Sequence, residues 1–326
     1  MILTRPFRDE FALGQLGRIR AANGLRTNSE AVRYLRQHLI SANKANAEDP
    51  TFVLLAAASE MPISEYVQTH TDLPVIRGVV NSWARVAHAD IELLRSIDWE
   101  APRGTRKTHP ICVDESRGKP KTAAFCKACL ADQRASGVSF WRRSHQLIGC
   151  DWCFDHDIPL FIVRADNVFD WLPEKWVDDA YEAKYASDAD RQHPIAIRYI
   201  EVIRRFLGEN TPICAQRALD AMRPADVDFN LYTACDIQIQ RITDLVIASA
   251  PRTWLGRNFR EFFSTAGGRF FSETYGEPKL RYTCSAATFA VAIAAFYSSC
   301  DEAFNLMTCT RNVRDNYSAA GHICKC

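Results

Sequence analysis

The sequence lacks the motifs that mark common catalytic folds. It has no Walker phosphate loop, no G-x-G-x-x-G turn, no G-x-S-x-G nucleophile elbow and no H-E-x-x-H metalloprotease helix. Its acidic residues are plentiful but scattered, which is no nuclease signature. Long apolar runs are missing too: the longest, around Ala287 to Tyr297, is too short to cross a bilayer. The opening MILTRPFRDEF carries no apolar segment behind its basic residues, so the expectation is a cytoplasmic protein without a membrane partner. Net charge is nearly absent at +1, so no global basic field announces a nucleic-acid binder, and any DNA contact must come from a local patch.

What is present describes a folded chain. With 326 residues, 47% hydrophobic and 24% charged, it has the material for two or three packed units. Twelve cysteines would suit a disulfide framework in a small secreted protein. In a chain of this size with no export signal they read instead as reduced thiols, most of them buried as small hydrophobes.

Helical periodicity dominates. Phe11, Leu16 and Ile19 recur at helical spacing before an Asn23-Gly24 left-handed stop. A second helix is expected from an Asn28 or Ser29 cap, with Val32, Leu35 and Leu39 on one face, ending near Ile40 or Ser41. Phe52 to Ser59 then reads as helix, Met61-Pro62 as a break, and Ser64 as the cap of a short helix through Tyr66 and Val67. A helix, a tight turn and a helix could form a helix-turn-helix, but repeated helix pairs are common as plain helical packing, and the second helix carries little positive charge. Residues 101–121 change character, with Pro, Gly, six Lys or Arg and little periodicity, which suggests a basic loop at a domain boundary. Asn167 to Lys184 is aromatic and acidic, Ile195 to Leu207 and Asp236 to Ser249 are amphipathic helices, and a last Ala-rich helix is expected from Ser285 to about Met307. The predicted fold is mainly α: an N-terminal helical domain over 1–100 with a possible helix-turn-helix, a zinc-ribbon-like module over 101–163 and a C-terminal helical domain over 164–326.

The chemistry concentrates in FCKACLADQRASGVSFWRRSHQLIGCDWCFDHDIPL. Cys126 and Cys129 form a C-x2-C knuckle, and Cys153 and His156 a C-x2-H knuckle. Two ligands two residues apart on a tight turn supply one edge of a tetrahedron, and a second knuckle supplies the other, as a Zn2+ site requires. Pairing Cys150 with Cys153 fits a C-x2-C-x20-C-x2-C ribbon equally well, and spacing alone does not choose between them. His109 and Cys112 would be half of another site with no partner knuckle. Between the knuckles, Phe140-Trp141-Arg142-Arg143 is a dense aromatic and basic run. Trp141 is expected over the zinc turn and the arginines are expected to reach outward, where such pairs suit phosphate or carboxylate. The alternative pairs one arginine with an acid such as Asp132 and makes His145 a hydrogen-bonded core histidine.

This segment resembles the TniQ family of transposition target-selection proteins. The family pattern of C-x2-C-L, then G-x2-[YF]-[WF]-R-R-x-H-Q-L, then C-x2-H-x2-[PL]-L is met nearly throughout from Phe125 to Leu160. PFRDEFALGQLGRIRAANGL and FVLLAAASEMPISEYVQTHT resemble the upstream pattern, so the likeness covers about the first half of the chain. It implies Cys126, Cys129, Cys153 and His156 as zinc ligands, with Cys150 where members usually carry an apolar residue. Departures are Phe154 in place of a proline, Asp157 in place of a glycine, and no further cysteine knuckle after Leu160. The implied function is a non-enzymatic adaptor that recognises a DNA target, directly or through a guide-RNA effector complex, and recruits an AAA+ ATPase regulator and hence the transposase, with a homodimer as one possible assembly. Arg106, Lys107, Arg142 and Arg143 are the candidate DNA-facing residues. The competing reading is a zinc-stabilised interaction scaffold without DNA affinity; a zinc hydrolase would need an open coordination position.

Overall fold

The computed structural model describes residues 1–76, 79–80, 122–182, 188–208, 213–214, 218, 222, 242–263 and 286–307. Arg106, Lys107, His109 and Cys112 lie outside the described residues. As expected, the fold is mainly helical with few strands. The chain divides into two compact units, the first holding described residues 1–74 and 122–182, the second 75–80 and 188–307.

In the first unit, α1 (Ala12–Ala22) ends as the sequence suggests. Gly24 takes φ +64°, the Gly24 N–H donates to the Ala21 carbonyl and the Leu25 N–H to the Arg20 carbonyl, the paired bonds of a Schellman stop. Helix α2 (Asn28–Ser41) has its cap one residue before the expected Asn28 or Ser29. Thr27 is the N-cap, its hydroxyl accepting from the Glu30 N–H, while the Glu30 carboxylate accepts from the Arg26 N–H. Ala31, Leu35 and Leu39 are its buried face. Helix α3 (Thr51–Ser59) closes on Glu60 in the left-handed region, and α4 (Ile63–His70) opens after Pro62 rather than at Ser64, because proline lacks an N–H and its fixed φ suits the entry to a helix. Helix α4 buries Tyr66, Val67 and His70.

Helix α1 lies on the turn Val168–Asp170, and closely: a Cβ at Gly17 would stand 2.4 Å from the Phe169 carbonyl oxygen. Its inner face carries a buried polar network. Arg18 donates twice to the Glu10 carboxylate, at 2.7 and 2.8 Å, and to the Arg5 carbonyl. Gln15 donates to the Ser59 hydroxyl and accepts from the Tyr66 hydroxyl, and His70 Nδ1 lies 2.9 Å from the Glu10 carbonyl. A buried charge is tolerated only when paired and hydrogen-bonded, and here the pair is bidentate.

The rest of the unit is built on a three-stranded antiparallel sheet of β2 (Thr122–Phe125), β3 (Phe161–Arg164) and β4 (Tyr181–Glu182), with Phe125 opposite Phe161. The Gln146 amide donates to the Ala124 carbonyl and accepts from the Ala124 N–H, so a side chain pairs the open edge of β2. Helix α5 (Lys127–Ala135) follows β2 directly.

The second unit holds a parallel pair, β1 (Val79–Val80) with β5 (Ile213–Cys214). Its helix α6 (Pro194–Gly208) buries Ile195, Tyr199, Ile200, Ile203 and Phe206 along one stripe, and residues 242–249 are helical. Tyr199, Trp254 and Phe259 meet edge to face with centroids 5.3 to 5.5 Å apart, Trp254 coming from α7 (Arg252–Asn258). The long terminal helix expected from Ser285 is two helices, α8 (Ala286–Phe296) and α9 (Cys300–Met307). The break is chemical: Ser299 precedes α9 with its carbonyl accepting from the Ala303 N–H, the position a helix start gives to serine. Five of the six alanines of α8 are buried, and the Ala294 carbonyl accepts from Arg198 of α6 at 2.8 Å. Among the described residues no helix is long and apolar enough to cross a membrane.

Candidate metal centre

Cys126 ends β2 and serves as the N-cap of α5, its sulfur accepting from the Cys129 N–H at 3.5 Å. One turn of helix therefore sets two sulfurs side by side, with the positive end of the helix dipole behind them. The second knuckle is a tight loop. The Asp157 N–H donates to the Cys153 carbonyl, the Cys153 N–H donates to the Ile158 carbonyl, and Trp152 bridges to Pro159. Closing it puts Asp157 at φ 54°, a left-handed position where the family pattern has glycine; aspartate accepts that region more readily than most residues.

The two turns meet. The donor atoms of Cys126, Cys129, Cys153 and His156 lie within 4.8 Å of one another. The Cys129 and Cys153 sulfurs are 3.5 Å apart, and His156 Nδ1 stands 3.7, 3.3 and 3.6 Å from Cys126, Cys129 and Cys153. Zinc-sulfur bonds of about 2.3 Å at tetrahedral angles imply edges of roughly 3.8 Å, so these distances are near those of a tetrahedron that would hold a metal ion. The three cysteines are buried and pack with Leu160, Ala124 and Ala128. Three soft sulfurs and one imidazole, all from protein, form the closed donor set typical of structural rather than catalytic sites. Cys150 is buried but outside this cluster.

The electrostatics of the cluster favour a cation. The hydrogen bond between Cys129 and Cys153 pulls the Cys153 thiol down and pushes Cys129 up, since two thiolates this close repel, and burial pushes Cys126 up. A divalent ion relieves that conflict by binding thiolates directly. The His156 ring is oriented from behind: its Nε2 lies 3.3 Å from Asp132 Oδ2, a carboxylate held on α5 one turn beyond Cys129. Asp132 thus serves the histidine rather than an arginine. Its spacing of three from Cys129 on a helix is the signal that places it on the same face. His145 is a buried core histidine with Nε2 3.9 Å from the Cys129 sulfur.

The aromatic and basic run differs from expectation. Trp141 is fully buried, but among Phe11, Phe125, Leu130 and Phe169 rather than over the zinc turn, and its Nε1–H donates to the Trp171 carbonyl at 2.8 Å. The arginines turn inward. Arg142 pairs with Asp9 at 3.2 Å and with Asp155, and its Nη1 lies 3.1 Å from the Cys129 sulfur. Arg143 donates to the carbonyls of Gln68 and Thr71 at the C-terminal end of α4 and lies 3.5 Å from Asp9. Cations at a helix C-terminus answer its unpaired carbonyls and its dipole. Charge was visible in the sequence; its anchor, 133 residues away, was not.

Two comparisons bear on this site. The TniQ family model matches residues 1–160, a span that contains all four clustered donors. No curated protein matches the chain.

Proposed function

We propose that this chain, whose residues 1–160 belong to the TniQ family, is the non-catalytic adaptor of a DNA transposition system that selects the target site. Family membership makes it transposition-associated. The finer reading is that it recruits an AAA+ ATPase regulator and, through it, the transposase, reaching DNA directly or through a guide-RNA effector complex. One observation carries the reading: the Cys126, Cys129, Cys153 and His156 cluster closes inside the matched span, with every donor supplied by protein. In this reading the four residues hold a structural Zn2+. A closed site leaves no position for an attacking water, so zinc fixes the fold around it and does no chemistry.

A second reading is favoured by the inward pairing of Arg142 and Arg143: a zinc-stabilised scaffold that binds partner proteins and not DNA. If DNA is bound, phosphate contact then falls to other cations, with Arg106 and Lys107 the remaining candidates. Binding of a labelled duplex across about 50 to 200 mM salt separates the two. Phosphate contacts make affinity fall steeply, and replacing Arg106 and Lys107 together with alanine flattens the log-log slope by roughly 2. Absence of any binding by the zinc-loaded chain favours the scaffold. The metal assignment is tested by metal analysis of the purified chain. Zinc is lost in Cys126→Ala and His156→Ala and kept in Cys150→Ala; a metal-free, well-folded wild type would sink the assignment.

A further inference from the structure

The geometry points to Arg142 as the residue that couples occupancy of the metal centre to the seating of the N-terminal segment, an inference that rests on the zinc reading above. Its guanidinium faces two ways. Nη1 reaches the Cys129 sulfur at 3.1 Å and the Asp155 carboxylate in the Cys153–His156 loop. Nε reaches Asp9 Oδ2 at 3.2 Å. Asp9 is itself a fixed point: it sits at φ 62°, accepts from the Ser144 hydroxyl at 2.6 Å, and its carbonyl accepts from the Arg143 N–H at 2.7 Å. Next to it Glu10 bridges to Arg142, and the Phe11 N–H donates to the Trp141 carbonyl at 2.8 Å. The strand-like seam between residues 9–11 and 141–143 thus shares one side chain with the metal centre.

The charges give that side chain a reason to respond. Three thiolates, a neutral imidazole and Zn2+ sum to one negative charge in a buried site, and a buried charge needs a partner. Arg142 is the cation in contact with a ligand sulfur among the described residues. A sulfur held as a metal thiolate is a charged acceptor, and a charged acceptor fixes a guanidinium more firmly than a neutral thiol. Fixing the guanidinium fixes Asp9. Linkage is reciprocal, so whatever factor the metal contributes to seating the segment, the segment returns to metal affinity.

The test measures zinc dissociation constants by chelator competition on the full chain, wild type against Arg142→Gln, Asp9→Asn and Ser144→Ala. It adds amide hydrogen exchange of the wild type loaded with zinc and stripped of it. Arg142→Gln weakens zinc by about tenfold, as groups behind metal ligands do. Asp9→Asn weakens it several-fold although Asp9 touches no ligand, and Ser144→Ala, which removes one of the contacts that fix Asp9, weakens it less. Stripping speeds exchange at the Arg143 amide, bonded to Asp9, and spares Ala31 and Leu35 in α2. Unchanged affinity in Asp9→Asn overturns the coupling, as does exchange that rises uniformly over residues 1–74. A wild type that binds no zinc overturns the metal reading and the coupling together, so the two failures are distinct.

Discussion

Gly17 poses a contest whose winner the structure predicts. Replacing an interior helix glycine with alanine ordinarily stabilises by about 0.5 to 1 kcal/mol, because alanine loses less backbone entropy on folding. At Gly17 the new Cβ would lie 2.4 Å from the Phe169 carbonyl oxygen, and the carbonyl carbon would be 3.6 Å away. The obstacle is backbone, which cannot rotate aside as a side-chain tip can. Relief requires α1 to back away from the turn Val168–Asp170. That motion disturbs the ring packing of Phe11 on Phe169, at 5.4 Å, and of Phe169 on Trp141, also at 5.4 Å. Overpacking of this kind costs about 2 to 3 kcal/mol. Net destabilisation is then about 1 to 2.5 kcal/mol, or a fall in Tm of roughly 2 to 10 °C for a unit of this size. Gly208, at the end of α6, is the control. It has nothing within 4 Å of a built Cβ, so Gly208→Ala is neutral or slightly stabilising. Thermal and urea unfolding of both variants decide the matter, and Gly17→Ala at or above wild-type stability would refute the argument.

Two further predictions concern single residues. Asp157→Gly removes the strain of φ 54° in the second knuckle and stabilises the zinc-loaded chain by about 0.5 to 1 kcal/mol, read from urea midpoints with metal content unchanged. Asp72 is buried with Oδ1 unpartnered, and burial raises its carboxyl from 3.8 to about 7, with Arg143 pulling the other way. A raised carboxyl means the folded state binds the extra proton, so its stabilising contribution is complete below about pH 4 and is lost as pH rises through about 7. His70, pushed down by burial, has the opposite slope, losing stability as pH falls through its unfolded value. Unfolding free energies at pH 5 and pH 8 separate the two, since Asp72→Asn removes the loss on the alkaline side and leaves the acid side as in wild type.

What the sequence disclosed was set by how far the determining contact lies along the chain. The Asn23-Gly24 stop, the buried face of α6, Leu35 and Leu39 of α2 and the two knuckles are written within a few turns and appear where their spacing puts them, while Ala31 rather than the expected Val32 completes the buried face of α2. Small errors were also local. Thr27 outcompeted Asn28 because its hydroxyl accepts from the Glu30 N–H while the Glu30 carboxylate accepts from the Arg26 N–H just before the cap, and Ser299 starts a helix inside a run that periodicity alone reads as continuous. The choice between Cys150 and His156 as partner of Cys153 needed the fold, since both spacings close a tetrahedron on paper and only one set of donors is gathered here.

The arginine pair shows why charge in a sequence is a poor guide to where charge acts. Arg142 and Arg143 stand in a local run with no acid beside them, so local reading offers both to solvent and phosphate, or one of them to an acid such as Asp132. Their anchor is Asp9, 133 residues before Arg142 in the chain. Its neighbour Glu10 is likewise consumed by Arg18 in the interior. Five charges that composition credits to the surface therefore cross-link the first unit, the Glu10–Arg18 pair at α1 and the trio of Asp9, Arg142 and Arg143 beside the metal centre. A near-neutral chain spends its ions this way at a cost in desolvation, which is offset only when both partners stay in place. Asp9→Ala takes a carboxylate from two guanidinium groups at once, leaving Arg142 with Asp155 and Arg143 with the carbonyls of Gln68 and Thr71, so it destabilises the unit more than Asp155→Ala, which takes one from Arg142 alone; unfolding of the two variants measures that difference.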